Sequence, residues 1–157
     1  MTVLRAEDAD FYEKYADELV RFATTLVGPS GAEDLLLATI LAVFSSPAWR
    51  SVTNPRAYVY RALVNHAAKQ RRATQRRLAR EIKAAPRTEL APPDPRLDDI
   101  DVRLALRHLT VRQRAVIHLR FWNDLPVNDI AKALNVPVRT VERDLERART
   151  RLQEHLT

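Results

Sequence analysis

The sequence predicts an all-α fold with two small helical domains joined by a proline-rich linker, the second domain containing a helix-turn-helix. Three observations support this. The chain has 157 residues but only two glycines, apolar residues recur every three or four positions, and four prolines fall in residues 84–96, where that period stops. We therefore place the domains at residues 1–83 and 98–157, with the linker at 84–97.

Two helices are expected before residue 45. The first ends at Gly28 and Pro29, and Ser30–Glu33 then has the spacing of a capping box. The second helix, reaching about Phe44, is apolar nearly all round. We expect it to lie at the centre of a bundle or to have one face covered by a partner. One face of the first helix carries Phe11, Tyr15, Leu19, Phe22 and Leu26.

A third helix is expected after a loop at Ser45–Thr53, because Asn54 can cap it and Pro55 suits its first position. This helix has a packing face and a free polar face. The packing face carries Val59, Leu63 and Ala67, and the polar face carries Arg61, Asn65, Ala68 and Arg72, with Tyr58 and Lys69 beside it.

The second domain is predicted as a series of short helices. Residues 98–109 form one, and a capping box at Thr110–Gln113 starts another that ends near Trp122. The next covers Pro126–Leu134, and a tight turn at Asn135–Pro137 leads into a long helix from Val138. The buried stripe of that last helix is Val141, Leu145, Ala148 and Leu152.

The last two helices and their turn have the pattern of a helix-turn-helix. Ala131 is small enough for a close helix crossing, and Asn135 tolerates a left-handed backbone. The second helix would enter the major groove of duplex DNA, where arginine can bind guanine. Glu142 could pair with Arg139, and Asp144 with Arg147 or Arg143; an ordinary helical hairpin with a charged face is the alternative. The expected DNA contacts are Arg139, Thr140, Arg143 and Arg147.

Charge is distributed unevenly along the chain, whose net charge is +6. Residues 1–34 hold eight acidic side chains and three basic ones, whereas residues 56–83 hold nine basic side chains and one acidic one. Concentrated positive charge attracts a polyanion, because neutralised phosphates release counterions. The alternative interpretation is a solvated basic helix.

Several classes of protein are disfavoured. The chain has no cysteine, and its four histidines are scattered without metal-ligand spacing. It has no glycine-rich phosphate loop either, so we expect no catalytic residues, metal site or cofactor. The acidic N-terminus is unlike a secretion signal, and no apolar run is long enough to span a membrane. We expect a cytoplasmic protein with no membrane partner.

Two stretches resemble a known family. Asn54–Arg72 (NPRAYVYRALVNHAAKQRR) resembles the minus-ten recognition helix of extracytoplasmic-function sigma factors, and Leu109–Leu152 resembles their minus-thirty-five-binding domain. The resemblance spans nearly the whole chain. The helix-turn-helix by itself is less specific, because LuxR-type response regulators also contain one. It implies that promoter DNA and core RNA polymerase are partners. It also implies that the melted minus-ten strand is held by the loop from Trp49 to Asn54 and by Tyr58, Arg61 and Asn65, with Lys69 and Arg72 further along. For Trp49 and Tyr58, packing in the core is the alternative.

The expected polymerase-binding segment departs from the family pattern. Where the family has a sequence similar to DAEDLVQEVFLRAW, this chain reads GAEDLLLATILAVFSS. The apolar face would bind polymerase, an accessory protein or a second copy, or pack inside the bundle. The alternative function is a sigma-like helix-turn-helix regulator that no longer binds polymerase. An anti-sigma factor or another accessory protein is a further possible partner. The expected polymerase contacts are Glu33, Asp34, Leu37 and Leu41.

Overall fold

The computed structural model describes residues 5–82 and 104–156, and every regular element in these two ranges is helical. We call residues 5–82 the N-terminal unit and residues 104–156 the C-terminal unit. The N-terminal unit contains α1 (Ala6–Val27), α2 (Ala32–Ser45), a 3₁₀ turn (Pro47–Ser51) and α3 (Pro55–Ile82). The C-terminal unit contains α4 (Val111–Ile117), a π-helical turn (His118–Trp122), α5 (Val127–Leu134) and α6 (Val138–Leu156).

The three long helices of the N-terminal unit pack against one another. Leu19, Phe22 and Leu26 of α1 are fully buried, while Phe11 and Tyr15 of the same predicted stripe are partly buried against the core. The packing face predicted for α3 is also confirmed, since Val59, Leu63 and Ala67 are each 0% exposed. Spacing alone therefore located the buried sides of α1 and α3.

The two expected caps of the N-terminal unit have different outcomes. Asn54 Oδ1 accepts from the Ala57 amide at 3.1 Å, as predicted for the start of α3. The capping box at Ser30 is wrong: Gly31 is the N-cap of α2 and no side chain caps it. Gly31 has right-handed angles (φ −105°, ψ −7°), so the turn continues directly into α2, and Ser30 lies one position too early to accept from a free helix amide.

The C-terminal unit also follows the predicted order. The Thr110 hydroxyl accepts from the Gln113 amide, and the Gln113 side chain accepts from the Thr110 amide, which confirms the second capping box. Leu104–Leu106 are helical, and the rest of the helix expected at 98–109 lies outside the described residues before Leu104. The linker expected at 84–97 lies outside them as well.

The two units pack face to face through α1 and α3 on one side and α4 and α5 on the other. One continuous apolar core includes Phe22 and Leu63 of the N-terminal unit and Leu119 and Ile130 of the C-terminal unit. Apolar burial is worth about 25 cal/mol per Å², so this shared core favours the packed arrangement.

Candidate nucleic-acid interface

The helix-turn-helix has the predicted geometry. Asn135 ends α5 in the left-handed conformation (φ 54°, ψ 48°), which asparagine adopts more readily than most residues. The Val136 amide donates to the Ala131 carbonyl at 3.0 Å and closes the turn. Val141 and Ala148 of α6 are fully buried. The turn and the buried stripe together fix which side of α6 faces outward.

The outward side of α6 carries the predicted groove-binding residues. Arg139, Arg143 and Arg147 are exposed, and Thr140 is half-buried at the first turn. No part of the packed N-terminal unit hides these guanidinium groups. A planar guanidinium can donate two hydrogen bonds to one guanine or bind phosphate, so this face is chemically suited to duplex DNA.

Asp144 has a different partner from the one predicted. Its carboxylate is buried and accepts from Arg112 Nε at 2.6 Å and from Arg112 Nη2 at 3.4 Å. Pairing with Arg143 or Arg147 along α6 is therefore wrong, because position 144 lies on the buried side of the helix and meets α4. The pair leaves both α6 arginines available for DNA.

A second polar surface lies where the 3₁₀ turn meets the start of α3. Asn54, Tyr58 and Arg61 line a cleft of about 700 Å³ there. The opposite wall belongs to α5 and to the turn before it, with Leu125, Asp129, Lys132 and Ala133. The family resemblance implied the first wall but not the second, since no local pattern places α5 over α3.

Trp49 is held in the packing of the N-terminal unit. Its indole nitrogen donates to Asp8 Oδ1 at 2.8 Å, and Asp8 itself is buried. The ring contacts Phe11, Phe44 and Tyr58 at centroid distances of 5.3, 5.4 and 5.9 Å. Trp49 is half-buried, and these contacts fix the position of the loop that leads to Asn54.

The remaining residues expected on the strand-binding face divide into two groups along α3. Asn65, Lys69 and Arg72 are exposed. Arg61 is half-buried and donates its Nε to the Ala133 carbonyl at 3.3 Å. The neighbouring Arg71 donates to the Leu109 carbonyl at 2.5 Å. The C-terminal unit thus occupies the side of α3 that holds Arg61 and Arg71 and leaves the rest open.

Tyr60 and Asn123 form a further bond between the units. Asn123 Nδ2 donates to the Tyr60 hydroxyl at 3.1 Å. Burial, together with the negative charge of Glu18, raises the pKa of Tyr60 to about 12, so the phenol is neutral at physiological pH. Sequence reasoning did not single out either residue, although Tyr60, one position after Val59, borders the packing face of α3.

His118 and Arg114 also bridge the units. The Thr25 hydroxyl lies 2.7 Å from His118 Nδ1, and Arg114 Nη1 donates to the Leu26 carbonyl at 2.6 Å. Burial lowers the pKa of His118 to about 4 and that of Arg114 to about 10. The neutral imidazole is therefore the form suited to this contact. The spacing of His118 from buried Ala115 could have indicated its burial.

The predicted polymerase-binding residues share one side of α2. Glu33 and Asp34 are exposed in its first turn, and Leu37 and Leu41 are 59% and 57% exposed. We call these four residues the α2 surface. Leu35, Leu36 and Ile40 point into the core instead. The helix is apolar on both sides because it packs on one and presents exposed leucines on the other.

Within residues 5–82 and 104–156, no three His, Asp or Glu side chains are grouped to hold a metal ion. No single helix in the described part of the chain combines the length and apolar composition needed to cross a bilayer. The α1 and α2 helices meet that test only when taken together, and they bend by 117° at their junction.

This chain is similar to known proteins in both sequence and fold. Residues 100–152 match the family model described as sigma-70, region 4. RNA polymerase sigma-E factors of Streptomyces avermitilis and Streptomyces coelicolor are 30% and 31% identical over 92% of this chain, and the matches cover 84% and 85% of those proteins. The RNA polymerase sigma-E factor of Streptomyces antibioticus is 31% identical over 89% of this chain, and the match covers 79% of that protein.

A solved structure shares the arrangement of helices. It is the sigma factor RpoE of Bartonella quintana, crystallised with the anti-sigma factor NepR, and it matches with a TM-score of 0.70 and 26% identity. The match covers 94% of this chain and 96% of that one. Together with the helix-turn-helix and the Streptomyces relatives, this structural match places the chain in the sigma-70 family of RNA polymerase sigma factors, within its extracytoplasmic-function group.

Proposed function

We propose that this protein directs core RNA polymerase to specific promoters and assists promoter opening, with the duplex and the melted strand bound by different units. The observation that carries this proposal is the exposed row of Arg139, Arg143 and Arg147 on a correctly turned helix-turn-helix. The C-terminal unit reads the upstream minus-thirty-five duplex through this row, with Thr140 positioning the helix. The protein acts in the cytoplasm and catalyses no reaction of its own.

The N-terminal unit holds the minus-ten strand. Asn54, Tyr58 and Arg61 meet in the cleft, where an aromatic ring and hydrogen-bond donors suit an unstacked base. Trp49 supports this site by holding the loop against Asp8. The exposed Asn65, Lys69 and Arg72 extend the polar surface along α3 and suit the strand's phosphates.

The α2 surface is the proposed polymerase contact. Two exposed leucines next to two carboxylates form an apolar patch with an acidic edge, and such patches mark protein-binding sites. The relatives named as RNA polymerase sigma factors match over most of their length. This supports an initiation factor over a helix-turn-helix regulator that has lost polymerase. An anti-sigma protein, as bound by the Bartonella relative, is a further proposed partner.

Run-off transcription tests the proposal. Purified protein and core polymerase are incubated with a promoter library, and transcripts are sequenced. We expect transcripts that start at a fixed distance from a shared upstream motif. Salt-sensitive DNA binding without any transcript would contradict the initiation-factor function.

A matched pair of leucine variants tests the α2 surface. Leu41→Ser removes an exposed leucine from this surface, and Leu78→Ser removes one from the far part of α3, where Leu78 is 46% exposed. Exposed positions change stability little, so both variants should fold. Leu41→Ser should weaken polymerase binding about tenfold, which corresponds to roughly 1.4 kcal/mol, and Leu78→Ser should leave it unchanged. Equal binding by the two variants would contradict the assignment.

A further inference from the structure

A groove beside the outward side of α6 continues past the residues assigned to duplex DNA. Arg143, Arg147 and Arg151 line this groove, which has a volume of about 660 Å³ and lies between α6 and the start of α4. The three arginines are four residues apart, so they follow one another at steps of about 6 Å along the helix axis. Thr110 also lines the groove, and its hydroxyl accepts from the Gln113 amide, which leaves the hydroxyl proton able to donate. Arginine and threonine side chains are frequent donors to phosphate oxygens, so the groove suits a phosphate backbone.

Arg151 connects this groove to the turn that precedes α4. Its Nη1 donates to the His108 carbonyl at 2.6 Å. At the same turn, Arg71 of α3 donates to the carbonyls of Arg107 and Leu109. Three successive carbonyls of one turn therefore bind guanidinium groups from both units. These bonds place the last arginine of the groove close to the N-terminal unit.

The positive charges at this turn are not neutralised by carboxylates. Within the described ranges, Arg71, Arg107 and Arg151 take part in no ion pair. The half-buried Arg114 beside them is affected by this excess: burial, with the like charges of Arg71 and Arg107, lowers the pKa of Arg114 to about 10. Concentrated positive charge attracts a polyanion, because neutralised phosphates release counterions.

The acidic residues of the groove favour a path that continues beyond it. Glu146 and Glu154 also line the groove, and their carboxylates repel a phosphate. The groove by itself is therefore only weakly cationic. Arg107 and Arg71 add positive charge past its end, so a phosphate backbone gains most by following the groove and then crossing the turn.

We propose that duplex DNA is bound along a phosphate track, formed by Arg151, Arg107 and Arg71, that leaves the α6 groove and crosses to α3. The track contacts phosphates and not bases, so it contributes affinity that is independent of sequence. The N-terminal unit shares in duplex binding through Arg71, which its bonds to two carbonyls hold in place. This proposal rests on the duplex-binding side of α6 assigned above.

Salt titrations of the full chain with a pool of random duplexes test the phosphate track. Arg151→Gln, Arg107→Gln and Arg71→Gln each remove one positive charge from the track, and Arg149→Gln removes one from an exposed position outside the groove. Each track variant should reduce the slope of log affinity against log salt by about 0.9. Raising the salt from roughly 50 to 200 mM should then weaken its binding about 3.5-fold less than that of the wild type. Arg149→Gln should keep the wild-type slope.

Arg107→Lys separates the effect of charge from an effect on folding. The Arg107 side chain is exposed, and the backbone carbonyl of this residue makes the bond to Arg71, so the lysine and glutamine variants should both fold. Lysine binds phosphate as a point charge, so Arg107→Lys should keep the wild-type slope. A wild-type slope for Arg107→Gln, or an equal fall for Arg107→Gln and Arg107→Lys, would overturn the proposal.

The remaining outcomes locate the error if the proposal fails. A wild-type slope for Arg71→Gln alone would overturn the crossing to α3. A fall of about 0.7 with a random single-stranded pool, and none with duplexes, would assign these arginines to single strands instead. A changed base preference in Arg107→Gln would contradict a contact to phosphates only. Failure of the proposed function is distinct, because it appears as absent transcripts in the run-off assay whatever the slopes on random duplexes.

Discussion

Asp144 and Arg112 join α6 to α4 within the C-terminal unit. The carboxylate is 2% exposed and accepts from Arg112 Nε at 2.6 Å. Arg143, the adjacent residue, lies about 100° further around α6 and is exposed. The ion pair therefore fixes how far α6 is rotated, and that rotation places Arg143 in solvent.

Replacing Asp144 with asparagine should destabilise the protein. The substitution keeps the shape but removes the charge, and the partner Arg112 is 48% exposed and can return to water. We expect a loss of about 1 to 2 kcal/mol in the free energy of unfolding, below the usual cost of breaking a fully buried pair. Urea unfolding measures it. Glu142→Gln, at an exposed neighbouring position, is the control and should change stability by less than about 0.5 kcal/mol.

Arg143→Ala should weaken and relax duplex recognition. Loss of a bidentate hydrogen bond to guanine weakens the free energy of DNA binding by about 1 to 3 kcal/mol and removes the base preference at one position of the DNA site. Selection from a random duplex pool, followed by titration, measures both effects. Arg149→Ala is the control because Arg149 is exposed on another side of α6. If Arg143→Ala keeps the wild-type base preference at every position, the groove assignment is wrong.

Two arginines of α3 should differ in their salt dependence. Arg76 is exposed, whereas Arg71 is bound to two carbonyls of the C-terminal unit. Arg76→Gln should lower the slope of log affinity against log salt for single-stranded DNA by about 0.7. Arg71→Gln should lower it less, because Arg71 must first leave its carbonyls. Titrations between roughly 50 and 200 mM salt give both values. An unchanged slope for Arg76→Gln would indicate a solvated helix end.

Stability should fall in mild acid because of His118. Burial lowers the pKa of His118 from 6.5 to about 4, with nearby Glu18 opposing and Arg21 assisting the shift. Between these two values the unfolded chain binds more protons than the folded one. The free energy of unfolding is therefore unaffected by His118 titration above about pH 6.5 and decreases as the pH falls towards 4. The decrease due to His118 is at most about 3 kcal/mol.

His118→Gln checks this effect. Glutamine can still hydrogen-bond the Thr25 hydroxyl but does not titrate, so the loss of stability between pH 6.5 and 4 should be smaller than in the wild type. Thermal melts across this range give the comparison. His155→Gln, at an exposed position, should keep the wild-type profile. Identical profiles for His118→Gln and the wild type would show that His118 titrates normally.

Local sequence predicted most of the helices and their caps. Asn54 and Thr110 cap as expected because an N-cap depends on the side chain and on the amides within the next three residues. Asn135 adopts the left-handed turn for a similarly local reason. Ser30 fails because the backbone of Gly31 continues the turn, and no composition rule specifies that angle. The assignment of the strand-binding, duplex-binding and polymerase-binding residues stays a prediction.

The sequence by itself determined the all-α class, the buried faces of α1 and α3, and the burial of Val141 and Ala148 on α6, since 3.6-residue periodicity is a property of neighbouring residues. Only the tertiary structure decided that Asp144 pairs with Arg112, that Asn123 bonds Tyr60 and that α5 covers Arg61. These contacts join residues 32, 63 and 72 positions apart. They arise from how whole helices pack, which no short pattern of side chains encodes.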